Sequence, residues 1–238
     1  MKKTLIIFIL TLVVLPLHAQ DEIDVTRKPA PLQKKEFSFP EHKEAVLDNG
    51  LKLFIVEDHE QPVVSLRLHI AGGASMDSEK PGTAEITSDM LLKGYGGKKA
   101  SEIAAILDGI GADISVDAGT DAVTVNASCL KKHFPALMEI FSNIVINPSF
   151  PENEFEKLIP QYQAYLQQRK GTPHALASGL TKIVQFGREH PYAKRMTEES
   201  LDKIEVNDLK YFHNTFFKPN NATLAIIGDV DPVEIVNT

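Results

Sequence analysis

Two rhythms of apolar and polar positions divide the chain beyond residue 40 into strands and helices. In residues 63–71, Val64, Leu66, Leu68 and Ile70 alternate with Ser65, Arg67 and His69. That period of two predicts a strand with one buried face. A shorter apolar run over 51–56 is entered through Asn49-Gly50, a dipeptide suited to a hairpin turn. Residues 113–130 predict two strands around Ala118-Gly119-Thr120-Asp121. The period then lengthens. Residues 101–108 are amphipathic at helical spacing, and 109–112 close that helix. Phe134, Leu137, Met138, Phe141 and Ile144 recur at three- and four-residue intervals, which predicts a second helix over 133–146. Residues 155–167 predict a third, and the loop 72–77 leads into another over 82–94.

The two ends differ from this body. Lys2 and Lys3 precede an apolar run over 5–17, followed by His18-Ala19 and Gln20, the physical signature of a secretory signal over residues 1–19. The run is too short to span a bilayer and contains Pro16, so it predicts cleavage near Ala19 and no stable membrane insertion afterwards. Residues 20–39 are polar, charged and proline-containing, a leader arm or linker unlikely in composition to hold structure alone. Residues 40–238 suit one domain with a full core. The chain stops just after Pro232, inside an apparent helix start, as expected of a piece of a longer protein or of a protein whose second half is a separate chain.

Charge narrows the partners. The net charge of −7 becomes more negative when the signal takes Lys2 and Lys3 with it, which disfavours nucleic acid and anionic membrane. A single cysteine, Cys129, sits in an apolar strand pattern and can form no internal disulfide. Export to a periplasm or beyond is compatible with that. The histidines offer no ligand pair: His42 and His59 lie in or beside loops, His69 points outward, and His133, His174, His190 and His213 are scattered. Gly94–Gly97 with Lys98-Lys99 lacks P-loop spacing and is a turn with a solvated basic pair.

The candidate chemistry lies in the helix over 82–94. Glu85 and Asp89 are four residues apart and share a face, with Ser88 beside them. Two carboxylates make a poor zinc pair, because protein zinc sites are dominated by nitrogen and sulfur. An unactivated hydroxyl at Ser88 has no useful proton affinity near neutral pH. The structural expectation for Glu85 and Asp89 is a solvated surface pair.

This helix resembles the signature helix of the pitrilysin/insulinase metallopeptidases, the inverted zincins. There His-x-x-Glu-His supplies two zinc ligands and the general base. Glu85 and Asp89 stand at the two histidine positions and Ser88 at the base. The resemblance implies a third ligand 75 to 77 residues beyond Asp89, where Ala164, Tyr165 and Leu166 stand. Glu152, Glu154 and Glu156 match the family's acidic lead-in to that helix. The order of the other segments, up to the closing stretch 216–230, is also similar to the family's. It implies an α+β fold, a mostly antiparallel sheet with helices packed on it. In active relatives the substrate lies as an added strand on a sheet edge; Ile114, Ser115, Val116 and Asp117 match that edge.

The expectation is therefore an exported, non-catalytic peptidase-like subunit, with no catalytic residue, no metal and no cofactor. Its partners would be a related active zinc peptidase subunit or a second similar domain, together with extended peptides. Two other readings stay open: a zinc metallopeptidase with an atypical site at Glu85 and Asp89, and a stand-alone peptide-binding module.

Overall fold

A computed structural model describes residues 40–237; the predicted signal and leader arm lie outside the described residues. Lys43–Val46 (β1) and Lys52–Glu57 (β2) form the hairpin expected around Asn49-Gly50. Its turn is closed by the Leu47 N–H donating to the Leu51 carbonyl at 2.9 Å and by the Asn49 side chain accepting from the Leu51 N–H at 3.0 Å. The alternating stretch is Val63–Ala71 (β3). Thr83–Leu91 forms α1, the helix of the candidate site. Gly94–Tyr95 (β4) and Lys98–Lys99 (β5) make a small hairpin where a turn with a solvated basic pair was expected.

Ala100–Ile110 (α2) leads to Asp113–Ala118 (β6) and Ala122–Leu130 (β7), the two strands expected between 113 and 130. Phe134–Ile146 (α3), Glu152–Lys170 (α4) and Pro173–Phe186 (α5) follow. Glu198–Leu201 (α6), Val206–Phe216 (α7), Ala222–Gly228 (β8) and Pro232–Asn237 (α8) complete the order. Six strands form one sheet in the order β1-β2-β8-β3-β7-β6. Every neighbouring pair is antiparallel except β2 with β8. The class is α+β, as the sequence indicated.

Period-two patterning gives this sheet one apolar face. Leu53 and Ile55, Val64 to Ile70, Val125 to Cys129, and Leu224 and Ile226 contribute alternate side chains to one core, and Val123 packs with Ala84 and Phe212. Helices cover that face through Ile86, Met90 and Leu91 of α1, Leu137 and Ile144 of α3, Leu158 and Leu166 of α4, and Leu209 of α7. Each such Leu or Ile contributes about 1.5–3 kcal/mol by leaving water. On the other face Ser65, Arg67 and His69 are exposed, as expected of an antiparallel sheet with one solvated side. Cys129 is buried in β7 and forms no disulfide.

Two contacts fix where α1 starts. The loop before it is stitched to the β6–β7 turn: the Gly72, Ala74 and Ser75 N–H groups donate to the Asp121, Gly119 and Thr120 carbonyls at 2.8–3.0 Å. A Cβ at Gly73 would lie 2.6 Å from the Ala122 nitrogen and 2.8 Å from the Thr120 oxygen, so only glycine permits this approach. Asp77 then accepts from the Gly82 N–H at 2.7 Å and the Ala84 N–H at 2.8 Å, satisfying donors at the helix N-terminus.

Candidate functional site

α1 packs beside β6, so the degenerate motif and the predicted peptide edge are neighbours. Within α1, Ser88 is buried and its hydroxyl donates to the Ala84 carbonyl one turn back, at 2.9 Å. Thr87 does the same toward Thr83 at 2.7 Å. The residue at the base position is thus engaged by its own helix and presents nothing to a substrate.

Glu85 and Asp89 differ from the expected solvated pair. Asp89 is exposed, but its Oδ2 accepts a hydrogen bond from the Tyr162 hydroxyl on α4 at 2.7 Å. Glu85 is half-buried. Burial first, and the like charge of Asp89 second, raise the Glu85 carboxyl above the usual range, while the Arg169 guanidinium acts the other way. The sequence missed this because the covering helix comes from more than 70 residues downstream. Burial and the Asp89 carboxylate likewise hold the Tyr162 phenol protonated.

The positions implied for a third ligand resolve clearly. Phe155, Leu158, Tyr162 and Leu166 form the inward face of α4. Of Ala164, Tyr165 and Leu166, only Leu166 is buried; the other two are exposed. No acid stands at any of the three, and the α4 side chain that reaches α1 is that of Tyr162.

These residues do not fit zinc. Two carboxylates, one already hydrogen-bonded, replace the nitrogen pair, and no acid stands at the positions implied for the third ligand. Among the described residues no three His, Cys, Asp or Glu side chains are grouped to hold a metal ion. His213 is buried, and its Nε2 lies 2.7 Å from the Val145 carbonyl, to which it donates. Burial pushes its pKa down, so it is a neutral core side chain.

Ile114, Ser115, Val116 and Asp117 all fall in β6, at the end of the sheet. Ile114 is buried and Val116 half-buried toward the core, while Ser115 and Asp117 are exposed. β7 pairs with one side of β6, and no strand among the described residues pairs with the other.

Asp77, which the sequence did not single out, ties this site to pH. Burial pushes its pKa up to about 6, although the Gly82, Ala84 and Thr83 N–H groups pull it down. An unfolded aspartate titrates near 4, so folding takes up a proton between about pH 4 and 6. The Asp77 contribution is therefore present in full below about pH 4 and is lost as the pH rises through 6, worth about 3 kcal/mol. Urea melts are expected to show wild type losing stability relative to Asp77→Asn as the pH rises from 4 to 7. A constant difference between the two would contradict the raised pKa.

With this geometry in hand, the comparisons with known proteins are specific. The profile described as insulinase (peptidase family M16) matches residues 52–190, and that of the peptidase M16 inactive domain matches 203–238. The chain belongs to peptidase family M16. The resemblance read from the degenerate helix is thereby established, together with the pitrilysin-like fold.

Among M16 relatives, the non-peptidase homolog YmxG of Helicobacter pylori is 27% identical over 177 residues, covering 73% of this chain and 41% of the relative. The mitochondrial-processing peptidase subunit beta of Caenorhabditis elegans is 24% identical, covering 88% of this chain and 46% of the relative. A crystal structure of a peptidase M16 inactive domain from Pseudomonas fluorescens superimposes with a TM-score of 0.79 at 31% identity. It covers 83% of this chain and 48% of that one. The chain thus spans less than half the length of these relatives. Their names include both a peptidase subunit and a non-peptidase, so the residues at the site, not family membership, must separate the two.

Proposed function

We propose that this M16 domain is the non-catalytic member of an exported peptidase assembly. It pairs with a zinc-bearing M16 chain or domain and holds extended peptide along β6. One observation carries the reading: α1 and β6 keep their places, while every group that would bind zinc or activate water is replaced or engaged. Asp89 is bonded to Tyr162, Ser88 to Ala84, and Ala164, Tyr165 and Leu166 stand where the third ligand would be.

Strand addition needs main-chain groups and neighbouring side-chain pockets, and no metal. β6 offers an edge six residues long, with the acidic Asp113 and Asp117 facing outward. The signal-like segment supports export. Pairing is supported by α5, whose outward Leu176, Leu180 and Val184 are 43, 60 and 84% exposed at four-residue spacing. Such a stripe is a natural surface for a protein partner.

The test has two arms. Tagged protein isolated from its native source is expected to co-purify with an M16 chain carrying an intact His-x-x-Glu-His helix, and Leu180→Asp/Val184→Asp is expected to lose it. A labelled extended peptide is expected to bind the assembly, and alternate N-methylation of the peptide backbone to weaken binding about tenfold or more. A monodisperse monomer with undiminished peptide binding would instead make this a stand-alone module. Equal binding of the N-methylated peptide would rule out strand addition.

A further inference from the structure

A second site lies away from β6, where α4, α5 and the segment 195–199 meet around a cavity of about 330 Å³. That volume lies within the range of small-molecule sites, about 300–1,000 Å³. Leu166, Leu176 and Met196 supply apolar walls, and Arg169, Lys170 and Arg195 supply three cations. The acids present are already engaged. Glu198 accepts from Lys170 at 2.9 Å and from Gln167 at 2.5 Å, and Glu199 accepts from Lys203 at 2.7 Å.

The two guanidinium groups are less occupied. Arg169 donates one hydrogen bond, from Nη2 to the Met196 carbonyl at 2.7 Å. Arg195 is half-buried, and no hydrogen bond or ion pair joins it to any described residue. Its guanidinium lies against the backbone of α5. A Cβ on Gly179 would lie 2.7 Å from the Arg195 Cζ and closer still to Nη1, so the missing side chain leaves the space that the guanidinium occupies. Glycine in a helix interior costs about 1 kcal/mol relative to alanine.

We propose that this cavity is an oxyanion site, taking a carboxylate- or phosphate-bearing ligand on Arg195 and Arg169. A guanidinium presents parallel N–H groups that match either anion in bidentate fashion, and partial burial strengthens the pairing over its value in water. Lys170 adds long-range attraction from the rim. The site does not depend on strand addition at β6, and either can fail without the other.

Calorimetric titration of the whole chain at low salt tests it, with inorganic phosphate and succinate as separate probes. Succinamide, which is uncharged and too short to add as a strand at β6, serves as control. Saturable one-to-one binding of at least one probe is expected, with no binding of the diamide. The probe that binds tells phosphate from carboxylate. Arg195→Gln and Gly179→Ala are each expected to weaken binding roughly tenfold or more. Gly179→Ala acts by displacing the guanidinium while favouring the helix, so it remains informative if Arg195→Gln folds poorly. No binding by any probe, or wild-type affinity in both variants, would overturn the proposal.

Discussion

Protein incubated with excess zinc and then desalted is expected to retain no stoichiometric metal and to cleave peptides no faster than buffer, with or without a chelator. The size of the expected loss follows from what is missing. A metallopeptidase relies on its metal to bring a bound water's pKa to about 7, and on a general base for a further factor of about 10²–10⁴. The metal would have only the Glu85 and Asp89 carboxylates, and Asp89 Oδ2 already accepts from the Tyr162 hydroxyl. The base position is a buried serine bonded to Ala84. Freeing Asp89 by Tyr162→Phe is expected to leave zinc retention at zero, because two carboxylates are still too few. One zinc per chain by elemental analysis, with hydrolysis that a chelator abolishes, would overturn the proposed non-catalytic role.

Gly228→Ala is expected to destabilise the domain by about 2–6 kcal/mol, roughly 1–3 for a side chain at this φ and roughly 1–3 for overpacking, a large share of the roughly 5–15 kcal/mol typical of a folded domain. Gly228 ends β8 at φ 134°, between Glu57 of β2 and Val64 of β3. A Cβ there would lie 3.0 Å from the Val63 carbonyl carbon and from the Val64 Cα, and closer to the Val63 oxygen. All three are main-chain atoms, so relief requires moving a central strand. The move would strain the Asp58 N–H bond to the Gly228 carbonyl, at 2.9 Å, and the Asp229 N–H bond to the Val63 carbonyl, at 3.1 Å. Gly109, in α2, provides the contrast: nothing lies within 4 Å of its added Cβ and its φ is ordinary. Gly109→Ala is expected to stabilise by about 0.5–1 kcal/mol. Urea midpoints at unchanged slope measure both. A Gly228→Ala protein as stable as wild type would mean that the backbone there is not as tightly held as described.

Local patterning made most elements legible. The alternation from Val64 to Ile70 became β3, and the Asn49-Gly50 turn joined β1 to β2. The spacing of Phe134, Leu137, Phe141 and Ile144 became α3. The degenerate motif also announced itself, since identity at three positions needs no coordinates. What failed was the environment of the pair: a solvated Glu85 was expected, and a half-buried one was found. Burial of a side chain depends on what packs over it, and the elements that do so here are remote in sequence. Tyr162 lay on a visible apolar helix face, yet nothing local said that its hydroxyl would meet Asp89.

The sequence alone determined that the motif positions of this M16 chain lack the imidazoles, the base and the third acid, because which side chain stands at a position does not depend on the fold around it. It also determined which faces of the strands and helices are apolar. Only the tertiary structure decided that β8 inserts between β2 and β3, that β6 is left at the end of the sheet beside α1, and that Arg169 and Arg195 share one cavity. Those are juxtapositions of segments tens to more than a hundred residues apart, set by which apolar faces can be buried together, and no local pattern encodes them.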